Sequence, residues 1–302
     1  AVTLSMKCGT RIIKDQALCP FRAFAHHRLR AEGLYIPDVG IDNMSRGTLA
    51  HTVLELFWND VGDQTTLLAL DETALIAKIQ VAVDAALQRL EKERRHDLPV
   101  RQRQIEADRL MAIARQWLDI EARRGAFQVT VAEKKHRIKV GNLTIRTRID
   151  RIDELADGSA AIIDYKTGRP DPTQWLDERV TEPQLPLYCL GLKRDSIGAV
   201  MFAEVRSKAL ECGFRGLARE TEAWPGAKSR KLEALFSDKG WASLDDVLSH
   251  WDKVLPDLGD DFSRGEAAVD PVEIELACKY CDLTGLCRVL ERQNAGHGGD
   301  DD

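Results

Sequence analysis

The chain has 302 residues, of which 44% are hydrophobic and 30% charged, enough apolar side chain to bury one large core or two small ones. No run approaches the roughly 18 apolar residues that span a bilayer, and no secretory leader is visible, so a soluble, cytoplasmic protein without a membrane partner is expected. The net charge of −6 excludes nucleic-acid binding by bulk charge, but local patches govern phosphate contact. Such patches occur at Arg94-Arg95-His96, Lys134-Lys135-His136-Arg137, Arg146/Arg148/Arg151 and Lys228/Arg230/Lys231.

The opening Ala1-Val2-Thr3-Leu4-Ser5 has no start-like character, and the chain reads as a piece of a longer polypeptide. Residues 10–32 read as helical, followed by a loop over 33–43 with Pro37 and Gly40. Ser45-Arg46-Gly47-Thr48 leads into a second helix through Trp58, on which Leu49, Val53, Leu56 and Phe57 fall near helical spacing. A long helix is expected over 71–95, with Leu75, Ile79, Val83, Leu87 and Leu90 on one stripe, and another over 101–124. The period then changes. Residues 127–140 and 143–153 alternate as strands around Gly141-Asn142, a hairpin turn signal. Asp157-Gly158 turns into a short strand over 160–165, a helix follows over 183–192, then a strand over 198–205. The stretch to about residue 260 reads as helix and loop. The sum is an α/β fold: a mixed sheet flanked by helices, with a helical insertion on its N-terminal side.

The chemistry concentrates in Arg148-Ile149-Asp150-Arg151-Ile152-Asp153 and Ile162-Ile163-Asp164-Tyr165-Lys166-Thr167-Gly168. Strand side chains alternate faces, so Asp164 and Lys166 point one way and Tyr165 the other. With a turn at Gly158, Asp150 and Asp164 can meet across adjacent strands. Two carboxylates so close repel unless a cation lies between them, and hard oxygen ligands suit Mg2+ or Mn2+. A lysine beside that cation can orient water or neutralise charge growing on a phosphate, which equips a site for phosphodiester hydrolysis. A lone Asp-x-Lys arises readily as a surface ion pair; this one has company. Gly47-Thr48-Leu49-Ala50-His51 precedes it, and Gln184-Leu185-Pro186-Leu187-Tyr188 follows, with Gln184 and Tyr188 on one helix face.

The order G-x-x-x-H, D, D-x-K, Q-L-x-x-Y resembles the RecB/AddB-like branch of the PD-(D/E)XK nuclease superfamily, over residues 10–290. The resemblance implies a restriction-endonuclease-like mixed central sheet. It implies His51, Asp150 and Asp164 as metal ligands, with the Tyr165 backbone carbonyl as a further one and Lys166 as the catalytic lysine. Gln184 and Tyr188 would position DNA or the lysine. Glu133 stands where the family often has an acidic residue. Arg148 and Arg151, beside the acids, are expected to touch DNA. The activity implied is that of a Mg2+- or Mn2+-dependent deoxyribonuclease, an exonuclease rather than an endonuclease, acting in DNA repair or recombination. No G-x-x-x-x-G-K-[ST] helicase signature occurs, so a helicase partner would lie outside this chain.

Of seven cysteines, Cys278, Cys281 and Cys287 fall within ten residues as C-x2-C-x5-C, which points to metal rather than to disulfides. Thiolates suit both zinc and iron–sulfur clusters. With the lone Cys19 in Leu18-Cys19-Pro20-Phe21, the set resembles the 4Fe–4S staple of AddB-type nucleases; Zn2+ is the alternative. Cys8, Cys189 and Cys212 have no partner pattern and read as ordinary thiols. The expected organisation is one nuclease domain over 10–295. Within it, 44–126 is mainly helical, 127–210 is the nuclease core, and a cysteine motif over 270–292 closes onto Cys19. A disordered acidic tail covers 296–302. A second functional reading is a catalytically inactive DNA-binding scaffold subunit of a helicase–nuclease complex; the survival of Asp150, Asp164 and Lys166 speaks against it.

Overall fold

The structure is a computed structural model that describes residues 4–5, 9–34, 40–94, 97–206, 212–225 and 230–291, without the side chains of 4–5, 131–135, 222 and 230–232. Cys8, Arg95, His96, Lys228 and the tail expected over 296–302 lie outside the described residues, as do the side chains of Glu133, Lys134, Lys135, Arg230 and Lys231.

The expected first helix is broken in two, α1 (Arg11–Leu18) and α2 (Pro20–Phe24), and continues as a π-helical turn over Ala25–Leu29. The break falls at Cys19, extended at φ −167° and ψ 122°. A proline disfavours helical geometry in the residue before it, while its own fixed φ suits the first helical position. That break keeps Cys19 out of the helical run.

Helix α3 (Asn43–Val61) starts where Asp42 accepts from the Ser45 N–H at 2.8 Å, an N-cap that fixes the register of everything it carries. After the short α4 (Gln64–Ala69), α5 (Glu72–Arg94) and α6 (Val100–Ala122) form a hairpin against α3. Their buried stripes, including Ile79, Val83 and Leu87 on α5 and Leu110, Ala114 and Trp117 on α6, merge with Trp58 of α3 in one core.

Strands β2 (Phe127–Val140) and β3 (Leu143–Leu155) pair antiparallel around the expected Gly141-Asn142 turn. Gly141 has φ 56°, and a Cβ there would lie 2.5 Å from the Pro256 carbonyl oxygen of α9 (Leu244–Arg264), so both backbone geometry and crowding demand glycine. Asn142 secures the tip by donating twice to Asp260 Oδ1, at 2.6 and 2.8 Å. Strand β3 then pairs antiparallel with β4 (Ala160–Lys166), and β4 pairs parallel with β5 (Ile197–Glu204). The parallel step needs a crossover, which α7 (Gln184–Cys189) supplies. β5 is buried along its whole length, as a strand covered on both faces must be. The two-residue β1 (Leu4–Ser5) runs parallel to the start of β3.

Where the pattern predicts helix and loop, the structure has a strand, β6 (Gly213–Ala218), which closes the sheet against β5. Glycines at 213 and 216 weaken its strand signal. Gly216 is nevertheless required: a Cβ there would meet the Val200 carbonyl oxygen of β5 at 2.1 Å. One face of the sheet carries α3, α5 and α6; the other carries α1, α7 and α9 around Trp175, Trp251 and Phe202. The remaining elements are α8 (Arg230–Lys239), α10 (Ile274–Ala277) and α11 (Thr284–Cys287).

Between α6 and the sheet lies a buried square of charges. Arg151 of β3 grips Asp153 with two bonds, at 2.6 and 2.8 Å, and donates to Glu121 of α6 at 2.7 Å. Arg124 closes the square on Glu121 at 2.7 Å and Asp153 at 2.9 Å. Aromatic faces enclose it: Trp58 lies 4.3 Å from the Arg151 guanidinium, and Phe127 and Trp224 each lie 4.2 Å from Arg124. Arg151 also donates to the Tyr165 hydroxyl of β4 at 3.0 Å. Removing one member leaves buried charge uncompensated, which costs about 3–5 kcal/mol. Arg151→Met is therefore expected to lower the stability read from urea unfolding by that amount, far beyond a surface Arg→Met change; an effect below about 1 kcal/mol would show that the square contributes only surface-like pairing.

Candidate active site

Four elements converge on the C-terminal end of β4. β3 brings Asp150, β4 brings Asp164 and Lys166, α3 brings His51, and α7 brings Gln184 and Tyr188. The structure thus gathers every residue that the sequence reading had placed at the centre. Lys166 Nζ stands 2.6 Å from Asp164 Oδ2 and donates to Gln184 Oε1 at 3.0 Å. Gln184 Nε2 donates to Asp164 Oδ1 at 2.5 Å and to the Tyr188 hydroxyl at 3.0 Å. Tyr188 in turn donates to the Arg148 carbonyl oxygen at 2.5 Å, tying α7 to β3. The Gln-x-x-x-Tyr spacing therefore works as a brace: one helix face holds the lysine, one acid and the neighbouring strand together.

On the other side, His51 Nδ1 lies 3.1 Å from Asp150 Oδ2, which also accepts the Tyr165 backbone N–H at 3.1 Å. The Tyr165 ring turns away, edge-on to His51 at 5.7 Å and to Trp117 at 6.2 Å, so only its backbone faces the acids.

The two carboxylates are driven apart electrostatically. Burial pushes the Asp164 carboxyl up to about 7; the Lys166 ammonium pulls against that rise and the Asp150 charge adds to it. Burial would raise Asp150 as well, but the hydrogen bond and charge of His51, with the Tyr165 N–H, hold it below the usual carboxylate range. His51 and Lys166 both pay a burial penalty, yet Asp150 raises the one above the usual imidazole range and Asp164 raises the other above the usual ammonium range.

Among the described residues no three ligating side chains stand arranged around one point for a metal ion, because Lys166 and Gln184 take up Asp164 while Asp150 takes up His51. The chemistry of the donor set still fits a hard divalent cation: two carboxylates and an imidazole. Asp164 Oδ2 is buried, with the Lys166 ammonium 2.6 Å away as its partner, so a cation would have to share that oxygen with the lysine.

A cleft of about 1080 Å3 opens beside these residues, lined by Arg89 of α5, by Arg137 of β2 and by Arg146, Arg148 and Asp150 of β3. Arg148 lines it. Arg151 does not: it is 1% exposed and belongs to the charge square, so its expected contact with DNA is corrected. Strand alternation gives the reason, since neighbours in Asp150-Arg151 cannot share a face. The sequence analysis does not single out Arg89, which lines the cleft, or Glu55, which pairs with Arg89 and Arg148 at 3.7 and 3.3 Å. The available signal was the four-residue spacing from His51 to Glu55, which puts both on one face of α3.

At the ends of the chain, the segment around 268–282 lies on α1 and α2. Phe21 N–H donates to the Ala268 carbonyl and Val272 N–H to the Leu18 carbonyl, both at 2.9 Å. Arg22 pairs with Asp15 at 2.8 Å and donates to the Ala277 carbonyl at 3.2 Å, while His26 meets Asp282 at 3.1 Å. Cys19, Cys278, Cys281 and Cys287 are free thiols. Burial raises the Cys278 thiol, and Cys281, Cys19 and Cys287 raise it further. Among the described residues no three of these thiols stand arranged to hold a metal ion. Cys189 is buried and Cys212 half-buried.

The family model of the PD-(D/E)XK nuclease superfamily matches residues 13–288. No curated protein matches the chain.

The seating of the N-terminal helices has a pH signature. Burial works against the Asp15 charge, but the His27 hydrogen bond and the Arg22 and Arg11 charges depress its pKa below the ordinary value of 3.8. A depressed carboxylate contributes stability above its unfolded pKa and loses it as pH falls through the folded value. Asp15→Asn is therefore expected to destabilise the protein at pH 7, with the difference from wild type shrinking below about pH 4. Urea titrations at stepped pH check this, and a deficit that persists at low pH would assign Asp15 a role other than its charge.

Proposed function

The chain belongs to the PD-(D/E)XK nuclease superfamily, and on that premise we propose that it is a divalent-metal-dependent deoxyribonuclease of the RecB/AddB type. The observation that carries the reading is the convergence of Asp150, Asp164 and Lys166, braced by Gln184, beside a cleft with arginines on its wall. His51, Asp150, Asp164 and the Tyr165 carbonyl would hold Mg2+ or Mn2+. Such a cation supplies a Lewis acid for the phosphate and an activated water when bound.

The chain's own residues do the rest. Asp150 remains ionised because His51 and the Tyr165 N–H stabilise its charge. Lys166 is kept as an ammonium ion by Asp164, so its task is to neutralise charge growing on the scissile phosphate rather than to abstract a proton. Gln184 fixes the direction of both side chains, and Tyr188 fixes Gln184. The alternative of an inactive DNA-binding scaffold is disfavoured because the brace serves no binding purpose once the acids and the lysine lose their chemical task.

The finer reading is an exonuclease of DNA repair or recombination, working in the cytoplasm with a helicase outside this chain. It takes residues 10–295 as one nuclease domain. The helical portion over 44–126 forms one wall of the cleft, the core over 127–210 carries the acids, and the motif over 270–292 closes onto Cys19. The RecB/AddB assignment rests on the order of the His51, Asp150, Asp164-Lys166 and Gln184–Tyr188 motifs and on the cysteine spacing. The same reading gives Cys19, Cys278, Cys281 and Cys287 a 4Fe–4S cluster; zinc is the competing occupant.

Asp164→Ala and Lys166→Ala are each expected to lower Mg2+- or Mn2+-dependent cleavage of end-labelled DNA by at least about a hundred- to a thousandfold, with folding and DNA binding kept. Wild-type cleavage by either variant would place the chemistry elsewhere. Anaerobically purified protein is expected to be brown with about four irons per chain, and Cys19→Ser to bleach it as fully as Cys281→Ser, whereas Cys189→Ser leaves the colour. One zinc and no iron by elemental analysis would transfer the site to the zinc reading.

A further inference from the structure

The helix and the strand that bring His51 and Asp150 together make a second contact along the cleft. His51 and Glu55 lie one turn apart on α3, and Asp150 and Arg148 lie two residues apart on β3. His51 meets Asp150 at 3.1 Å, and Arg148 Nη2 meets Glu55 Oε2 at 3.3 Å. Four helical residues advance about 6 Å and two strand residues about 6.6 Å, so the contacts form two matched rungs between the same two elements. A third element joins at the second rung: Arg89 of α5 places Nη1 3.7 Å from the same Glu55 oxygen.

Exposure gives this trio a direction. The Glu55 side chain is 16% exposed, whereas those of Arg148 and Arg89 are 42% and 47% exposed and line the cleft. The carboxylate sits behind, and the two guanidiniums stand in front of it. Arg89 Nε also meets Glu93 at 3.4 Å, an exposed pair of the kind that adds little. A phosphate can displace such a pair, because the planar fork of arginine matches phosphate oxygens. Beyond Arg148, the exposed Arg146 and its cross-strand partner Arg137 continue the basic wall away from Asp150.

We propose that Arg89 and Arg148, held side by side by Glu55, bind the backbone phosphate adjacent to the scissile one. This rests on the nuclease reading and adds to it a subsite with named residues: α5 becomes a substrate-binding element, and Glu55 a positioning residue that acts through two arginines. The contact is to backbone, so it carries no base preference. It sets where the strand lies relative to the metal-binding acids.

The test is a salt titration of binding to a labelled single-stranded oligodeoxynucleotide, run in the cleavage-silent Asp164→Ala background, with steady-state cleavage measured in the active background. Arg89→Ala is expected to reduce the slope of log K against log salt by about one unit. It is also expected to raise KM about tenfold while leaving kcat unchanged, and Arg89→Lys, which keeps the charge but loses the fork, falls between. Glu55→Gln supplies the discriminating sign. It makes the cleft more positive, so mere charge attraction would tighten binding, whereas loss of the anchor weakens it; weaker binding is expected. Protein that cleaves DNA with slope and KM untouched by Arg89→Ala, or that binds more tightly as Glu55→Gln, overturns the clamp and leaves the nuclease reading standing. Wild-type protein that neither binds nor cleaves DNA overturns both.

Discussion

The buried square of Glu121, Arg124, Arg151 and Asp153 is the contact on which the rest of the architecture hangs. It joins the last turn of α6, with the residues just after it, to the middle of β3 and, through the Tyr165 hydroxyl, to the neighbouring strand β4. Charges out of water are costly, and a buried ion pair offsets that cost only when its geometry is close and further hydrogen bonds support it. Here Arg151 reaches both carboxylates and the phenol, and Trp117 donates to Glu121 as well, at 2.9 Å. The geometry tolerates one placement of α6 on the sheet. A purely apolar contact could slide; this one cannot without stranding a charge.

The active site inherits that fixed frame. Asp150 precedes Arg151 in sequence, and Tyr165 sits between Asp164 and Lys166, so two members of the buried network flank the paired acids on adjacent strands. Burial of the network on one side and the Gln184 brace on the other hold Asp150 and Asp164 near each other in spite of their mutual repulsion. The result is a pair of carboxylates with different proton affinities, one stabilised as an anion and one raised toward neutrality, next to a lysine kept charged. Paired acids of this kind are poised for a cation, because a divalent charge relieves both the repulsion and the desolvation at once.

The cleft follows from the layering. Helices α3 and α5 form one wall and the β2–β3 hairpin the other, with the site at their junction. Anchoring the hairpin tip on α9 through Asn142 and Asp260 keeps the second wall in place. The chain ends are closed separately, by backbone bonds between α1–α2 and the segment around 268–272, before any centre held by the cysteines is considered.

Local rules in the sequence settled more of this than its length suggests. The change from helical period to strand alternation near residue 127 and the Gly141-Asn142 turn depend on neighbours within a few residues, so they are legible locally, as is the cysteine spacing. The order of His51, Asp150, Asp164-Lys166 and Gln184–Tyr188 is legible only through its resemblance to a known family. The break at Cys19 was written in Pro20 but overlooked beneath a helical pattern. What only the tertiary structure decided concerns contacts between distant segments. Strand β6 exists because Gly216 can lie against the β5 backbone, although its own propensity is poor. Arg151 reads as one more cation beside the acids, and only the positions of Glu121 and Asp153 show that it is sequestered. Arg89 reads as a solvated helix residue until α5 packs beside α3 and brings it to Glu55. Alternation and spacing set which way a side chain points along its own element; whether it then meets a charge, a ring or water depends on what folding brings opposite it.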